Sequence, residues 1–205
     1  MATRPNTLFV QSDQQRPDWV EMNPSIPVRT PNLRHLSDRG RWLRNAVCPS
    51  PLSAPSRACV ASGLEYDRCR VWGNETYFAE GLPTYHQRLR NEAGYHVMAA
   101  GKHHVGNNQS GQPPSLHRGV DGRQGIEAWG FDDAIFNAGL NQATILMRRN
   151  EGVPQDTYMT YLSREGWAQA HLDDYARRNA EGVWTATFPS PLPDAAYFDT
   201  WITGN

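Results

Sequence analysis

Hydrophobic positions along the chain fall in short runs separated by polar, Gly- and Pro-rich stretches. Residues 7–12, Thr-Leu-Phe-Val-Gln-Ser, form an apolar run of the length of a buried first strand. Residues 30–40 carry helix punctuation: Thr30 as N-cap, Pro31 at the first helical position and Gly40 as the stop, with Leu33 and Leu36 as the buried stripe. Residues 42–47 predict a second strand. A helix follows from about Ser53 to Leu64, with Ser53 as its N-cap and Pro55 in its first turn, where a missing N–H costs nothing. Residues 65–80 read as a loop, with Tyr66, Trp72, Tyr77 and Phe78 packed under it or, alternatively, facing a substrate.

A helix opens at Leu82-Pro83-Thr84, runs to about Ala93 with Leu82, Tyr85 and Leu89 on its inner face, and stops at Gly94. Residues 95–100 predict another strand. Residues 107–125 read as a long loop whose His117 and Arg118 are surface residues or, alternatively, reach a substrate. A helix over 162–182 turns Trp167, Ala170, Leu172 and Tyr175 inward, with Asp173-Asp174 on an exposed acidic face. A last helix spans 194–202. Strands alternating with helices predict an α/β fold.

The chain has 205 residues, enough for one domain with a sizeable core. A net charge of −1 without basic clusters points away from nucleic acid and from membrane surfaces. No apolar run approaches the ~18 residues of a membrane span. The start of the chain shows no apolar signal region, which predicts a cytoplasmic protein. Cys48, Cys59 and Cys69 have no zinc spacing and suggest no disulfide framework.

Three stretches carry candidate chemistry. Asp13 follows the first strand, where α/β sheets bind ligands. Its carboxylate there is either a hard-cation ligand or a turn former. Ser53 and Arg57 are four apart, so a helix places hydroxyl, free N–H groups and guanidinium around one spot suited to a tetrahedral oxyanion. The same residues would also serve as a capped helix with a structural arginine. Lys102 and His104 alternate in extended chain and share a face, a cation and an imidazole suited to a transferred sulfuryl or phosphoryl group. His103 points elsewhere and reads as structural.

Ser53-Ala54-Pro55-Ser56-Arg57, with Ala58 and Ser62-Gly63 after it, resembles the signature of type I sulfatases. In that family a maturation enzyme oxidises the first residue of the signature to formylglycine. Cys48 has Leu52 rather than Arg four positions on, so Ser53 alone satisfies the spacing. The phrase from Leu8 to Asp18 resembles the family's opening, in which two consecutive acidic residues bind calcium. Here the second is Gln14, as in relatives of the alkaline phosphatase superfamily that act on phosphonate and phosphate esters and in some sulfatase branches. Thr30-Pro31-Asn32-Leu33 resembles a family scaffold phrase. Gly101-Lys102-His103-His104-Val105-Gly106 resembles the family segment whose Lys and His contact the sulfate and the formylglycine, and Trp129-Gly130-Phe131-Asp132-Asp133 resembles its scaffold Gly-Phe-Asp.

The resemblance covers most of residues 6–133 and implies a mainly parallel sheet sandwiched by helices. It implies a sulfuric ester hydrolase acting on a small-molecule or carbohydrate sulfate ester. Ser53, Arg57, Lys102 and His104 would be catalytic. Asp13, Gln14 and Ser53 would hold a divalent metal, calcium first, with manganese or zinc as alternatives. The family's members are much longer, so residues 1–205 are expected to be the N-terminal part of a sulfatase catalytic domain. Its C-terminal portion would supply further ligands and act as a partner. A phosphonate or phosphate ester hydrolase is the alternative on the same scaffold. A truncated anion-binding module without catalysis is the alternative outside enzymes.

Overall fold

Two parallel strands form the centre from which the rest of the larger part of the chain is hung. The computed structural model describes residues 4–76, 78, 81–104, 119–123, 125–182 and 186–204. It divides into two compact units, Met1–Cys48 and Pro49–Asn205.

In the first unit, helix α1 spans Pro31–Arg39. Thr30 precedes it, but its hydroxyl accepts from the Glu21 N–H at 2.8 Å instead of capping the helix. The Glu21 carboxylate accepts from the Thr30 N–H at 3.1 Å, and the Glu21 carbonyl from Arg34 Nη2 at 2.9 Å. Leu33 and Leu36 are exposed rather than buried, because so short a unit encloses almost no interior; Val20 is its buried hydrophobic residue. The strands expected over 7–12 and 42–47 are not formed. Leu8, Val10 and Val47 stand 80% or more exposed. An apolar run becomes a strand only within a ladder of paired backbones.

The second unit opens with helix α2, Ser53–Ser62. Its N-cap is Leu52 rather than Ser53, which is the first helical residue. Gly63 ends it in the left-handed conformation, donating to the Cys59 carbonyl at 2.8 Å. Ala54, Ala58 and Ala61 form its buried face, small enough for close packing. A short helix α3, Tyr66–Cys69, interrupts the expected 65–80 loop, and Trp72 lies exposed rather than packed beneath it. Helix α4, Tyr85–Asn91, begins with the capping box of Thr84 and Gln87.

Strands β1, Met98–Lys102, and β2, Asp133–Asn137, pair in parallel from Met98↔Asp133 to Lys102↔Asn137. The strand expected over 95–100 thus starts later. Tyr95 still donates back to Leu89 at 3.0 Å, and Val97 N–H donates to the Asp132 carboxylate at 2.8 Å. That N–H, then Arg90, holds the Asp132 carboxyl below the usual carboxylate range. Trp129 and Phe131 are buried, as their scaffold role requires. Gly130, at φ 90°, lies so close to α4 that a Cβ there would run into the Gln87 backbone. One core gathers Ala58, Val71, Phe131 and Phe136 against α2 and the sheet.

Helices α5, Leu140–Arg149, α6, Thr157–Arg164, and α7, Ala168–Glu181, follow. The single helix expected over 162–182 is broken at Gly166, φ 78°, into α6 and α7. Asp173 is exposed, but Asp174 is buried, against expectation, where Arg177 and Arg178 pair with it at 2.9 and 2.6 Å. Helix α8, Phe198–Thr203, packs with Tyr158, Met159 and Leu162 into a second core. The result is an α/β arrangement of helices around a parallel pair of strands.

Candidate active site

Ser53 stands at the first helical position of α2, directly after Leu52, whose backbone is extended at φ −93° and ψ 146°. Around that start, Ser50 Oγ accepts from the Leu52 N–H at 3.2 Å, and Asn74 Oδ1 accepts from the Ala54 N–H at 3.1 Å. Asn74 thus does the capping that Ser53 was expected to do. It lies 20 residues on, in the turn after α3, so no local pattern announces it.

One helical turn deeper, Arg57 binds in two directions. Its Nε donates to Ser53 Oγ at 3.3 Å, and its Nη1 donates to the Lys102 carbonyl at 2.6 Å. The guanidinium therefore joins the start of α2 to the last residue of β1. All three residues are half-buried, open to solvent yet held in place. The four-residue step thus puts Arg57 against Ser53, and the fold adds the main chain of Lys102 as its second partner.

His103 is tied into the core: its ring stacks on Phe136 at 4.7 Å and meets Trp129 edge-on at 4.9 Å. β1 ends at Lys102, and His104 adopts φ 46°, so the alternation expected to align Lys102 with His104 stops short of His104. The neighbouring His86 ring lies against Phe131 at 4.4 Å, and burial lowers its pKa to about 4. Residues 105–118, and with them His117 and Arg118, lie outside the described residues.

Asp13 and Gln14 belong to the first unit, both exposed, with Gln14 at φ 59°. A carboxylate beside an amide oxygen is an all-oxygen pair, which fits a hard cation such as calcium. No group of three or more His, Cys, Asp or Glu gathers among the described residues. No helix among them is long and apolar enough to cross a membrane.

The Sulfatase family model matches residues 5–185. The chain is 29% identical over 151 residues to the uncharacterized sulfatase YidJ of Escherichia coli K12, covering 72% of this chain and 28% of that protein. It is 27% identical over 172 residues to human steryl-sulfatase, covering 74% and 30% of the two. It is 23% identical over 211 residues to the arylsulfatase of Klebsiella aerogenes, covering 95% and 42%. The chain thus spans less than half the length of these relatives. With the Ser53–Arg57 signature folded onto the end of β1, and a family match running through both units, the chain belongs to the sulfatase family.

Proposed function

We propose that this chain carries the nucleophile-bearing part of a site that hydrolyses sulfate esters, with residue 53 oxidised to formylglycine. The observation that supports it best is the Arg57 fork, one arm on Ser53 Oγ and the other on the Lys102 carbonyl. The names of the relatives, steryl-sulfatase and arylsulfatase, support a small-molecule sulfate ester as substrate.

Oxidised, residue 53 supplies a hydrated aldehyde: one hydroxyl attacks sulfur as the S–O bond to the alcohol breaks, and loss of the proton from the second expels sulfate and restores the aldehyde. Arg57 acts on it directly. Its Nε neutralises charge on the residue-53 oxygens, while its bond to the Lys102 carbonyl keeps the guanidinium from swinging away. The Lys102 ammonium binds a sulfuryl oxygen and offsets the charge that grows there. His104 takes the proton from the hydroxyl that expels sulfate. Asp13 and Gln14 would be ligands of a divalent metal, calcium first, whose chemistry is to make a bound hydroxyl a better nucleophile. Manganese or zinc is the alternative metal, and the remaining ligands belong to the portion of the family fold beyond this match.

Mass spectrometry of the tryptic peptide ending at Arg57, from the natural host, tests the reading. Loss of two hydrogens at residue 53 supports it, and an intact serine removes the sulfatase chemistry. Gln14 favours a second reading: an amide in place of a carboxylate makes the metal site less negative, as suits a dianionic phosphate or phosphonate ester. Turnover of aryl phosphate above aryl sulfate by the complete protein would select it.

A further inference from the structure

Lys102 is the only lysine in the chain; the other 19 Lys/Arg positions are all arginine. Generic surface charge is thus supplied by arginine, and a lysine stands at one place, the end of β1. Arginine carries a wide planar head, whereas lysine is a narrow stem ending in a compact charge. The surroundings of residue 102 match the narrow stem.

Lys102 pairs with Asn137 across the sheet, and paired residues of neighbouring strands face the same side. Asn137 is 1% exposed, and its Oδ1 accepts from the Gly139 N–H at 2.9 Å. Gly139 is thereby held at φ 81° and ψ 154°, a region in which residues with a Cβ are strained. A Cβ at residue 139 would stand 3.2 Å from Lys102 Cδ and 3.5 Å from Cε. The space left by that missing Cβ is where the lysine stem runs. The Ala138 N–H next to it is fixed too, donating to the buried Asp156 carboxylate at 3.1 Å. The Asn137 amide nitrogen, by contrast, is buried with no acceptor among the described residues. Keeping a buried donor unmatched is destabilising, so Asn137 is costly as mere filling of the core.

We propose that Asn137 and Gly139 are positioning residues for Lys102. The Asn137 side chain locks the turn after β2, and the Gly139 it locks leaves the groove along which the lysine stem reaches the Ser53–Arg57 site. The inference rests on the anion-site reading above, which it deepens. It concerns the placement of the lysine only, and neither Asn137 nor Gly139 takes part in bond making or breaking.

The test uses the full chain reductively methylated with 13C-formaldehyde, which labels Lys102 and the amino terminus alone. In the unsubstituted protein, nuclear Overhauser contacts run from the Lys102 side chain to the Gly139 α-protons. Asn137→Asp keeps the acceptor for the Gly139 N–H and adds a carboxylate beside the stem. It raises the titration midpoint of dimethylated Lys102 by about half a pH unit or more. A midpoint equal to that of the unsubstituted chain, or no contact with Gly139, overturns the proposal. If the variant does not fold, the Overhauser contact decides alone. Sodium sulfate, added to the unsubstituted chain, shifts the Lys102 signal if the anion-site reading holds. A signal that ignores sulfate sinks that reading, while the Asn137 and Gly139 results still decide the positioning role.

Discussion

Arg57 Nη1 donates to the backbone carbonyl of Lys102 at 2.6 Å, so the arginine of the helix holds the lysine of the strand by its main chain. The family resemblance implies two cations, Arg57 and Lys102, at one anion. The fold adds that one cation is part of the scaffold that places the other. The fork needs a planar donor that reaches Ser53 and Lys102 at once. Arg57→Lys therefore fails nearly as badly as Arg57→Ala, each costing about 1 to 2 kcal/mol of stability in urea unfolding. In the complete protein, each lowers sulfate ester turnover by about 100-fold or more. A lysine variant with the melting curve and turnover of the parent contradicts the fork.

Asn74 holds the start of α2 from a turn 20 residues away. Asn74→Ala is expected to cost about 1 kcal/mol, the range of a lost helix cap, while Asn74→Asp keeps the acceptor and most of the stability. Denaturant midpoints of the two variants check this. Equal losses in both would show that the oxygen at this position does not carry the effect.

His171 is buried, hydrogen-bonded to Thr144 Oγ1 at 3.1 Å and edge-on to Tyr158. Burial lowers its pKa to about 4; nearby Asp174 opposes that shift, while Arg148 and Arg178 add to it. The unfolded chain, with an ordinary histidine, binds the proton first as pH falls. Stability is therefore greatest above about pH 6.5 and is lost towards pH 4, by about 2 to 3 kcal/mol for this group. Thermal unfolding of His171→Gln between pH 7 and 4.5 should show a flatter decline than the parent. An unchanged slope assigns the acid sensitivity elsewhere.

In the proposed metal site, Gln14 would contribute an amide where a carboxylate would bind a cation more tightly. Gln14→Asp is expected to raise calcium affinity by about tenfold, and Asp13→Asn to weaken it by at least as much. Calorimetric titration of calcium into the apo chain and the two variants measures both. Affinities that do not order as Gln14→Asp, parent, Asp13→Asn remove these residues from the metal site.

Gly130 gives the sharpest stability test of the scaffold phrase. Gly130→Ala combines a strained φ with a Cβ that collides with the Gln87 backbone. A loss above about 3 kcal/mol, or failure to accumulate as soluble protein, is expected. A variant with the melting temperature of the parent would show that α4 is not held at this point.

Local chemistry could be read along the chain wherever cause and effect lie within a few residues. Pro55 stands in the first turn of α2, α4 opens directly after Leu82-Pro83-Thr84, and the four-residue step from Ser53 to Arg57 puts both on one face. Each depends on backbone geometry that repeats with sequence distance. Apolar runs were legible as apolar but not as strands: residues 7–12 and 42–47 form none, and β2 carries no signal beyond its scaffold phrase. A strand is defined by a partner that can lie anywhere along the chain. For the same reason only the tertiary structure could decide that Arg57 reaches the Lys102 carbonyl, that Asn74 caps α2, that Asp174 is buried between two arginines, and that Gly139 leaves room for the lysine stem. Those contacts join residues 20 to 45 positions apart or settle which side chain wins a shared space, and close packing, not periodicity, sets both.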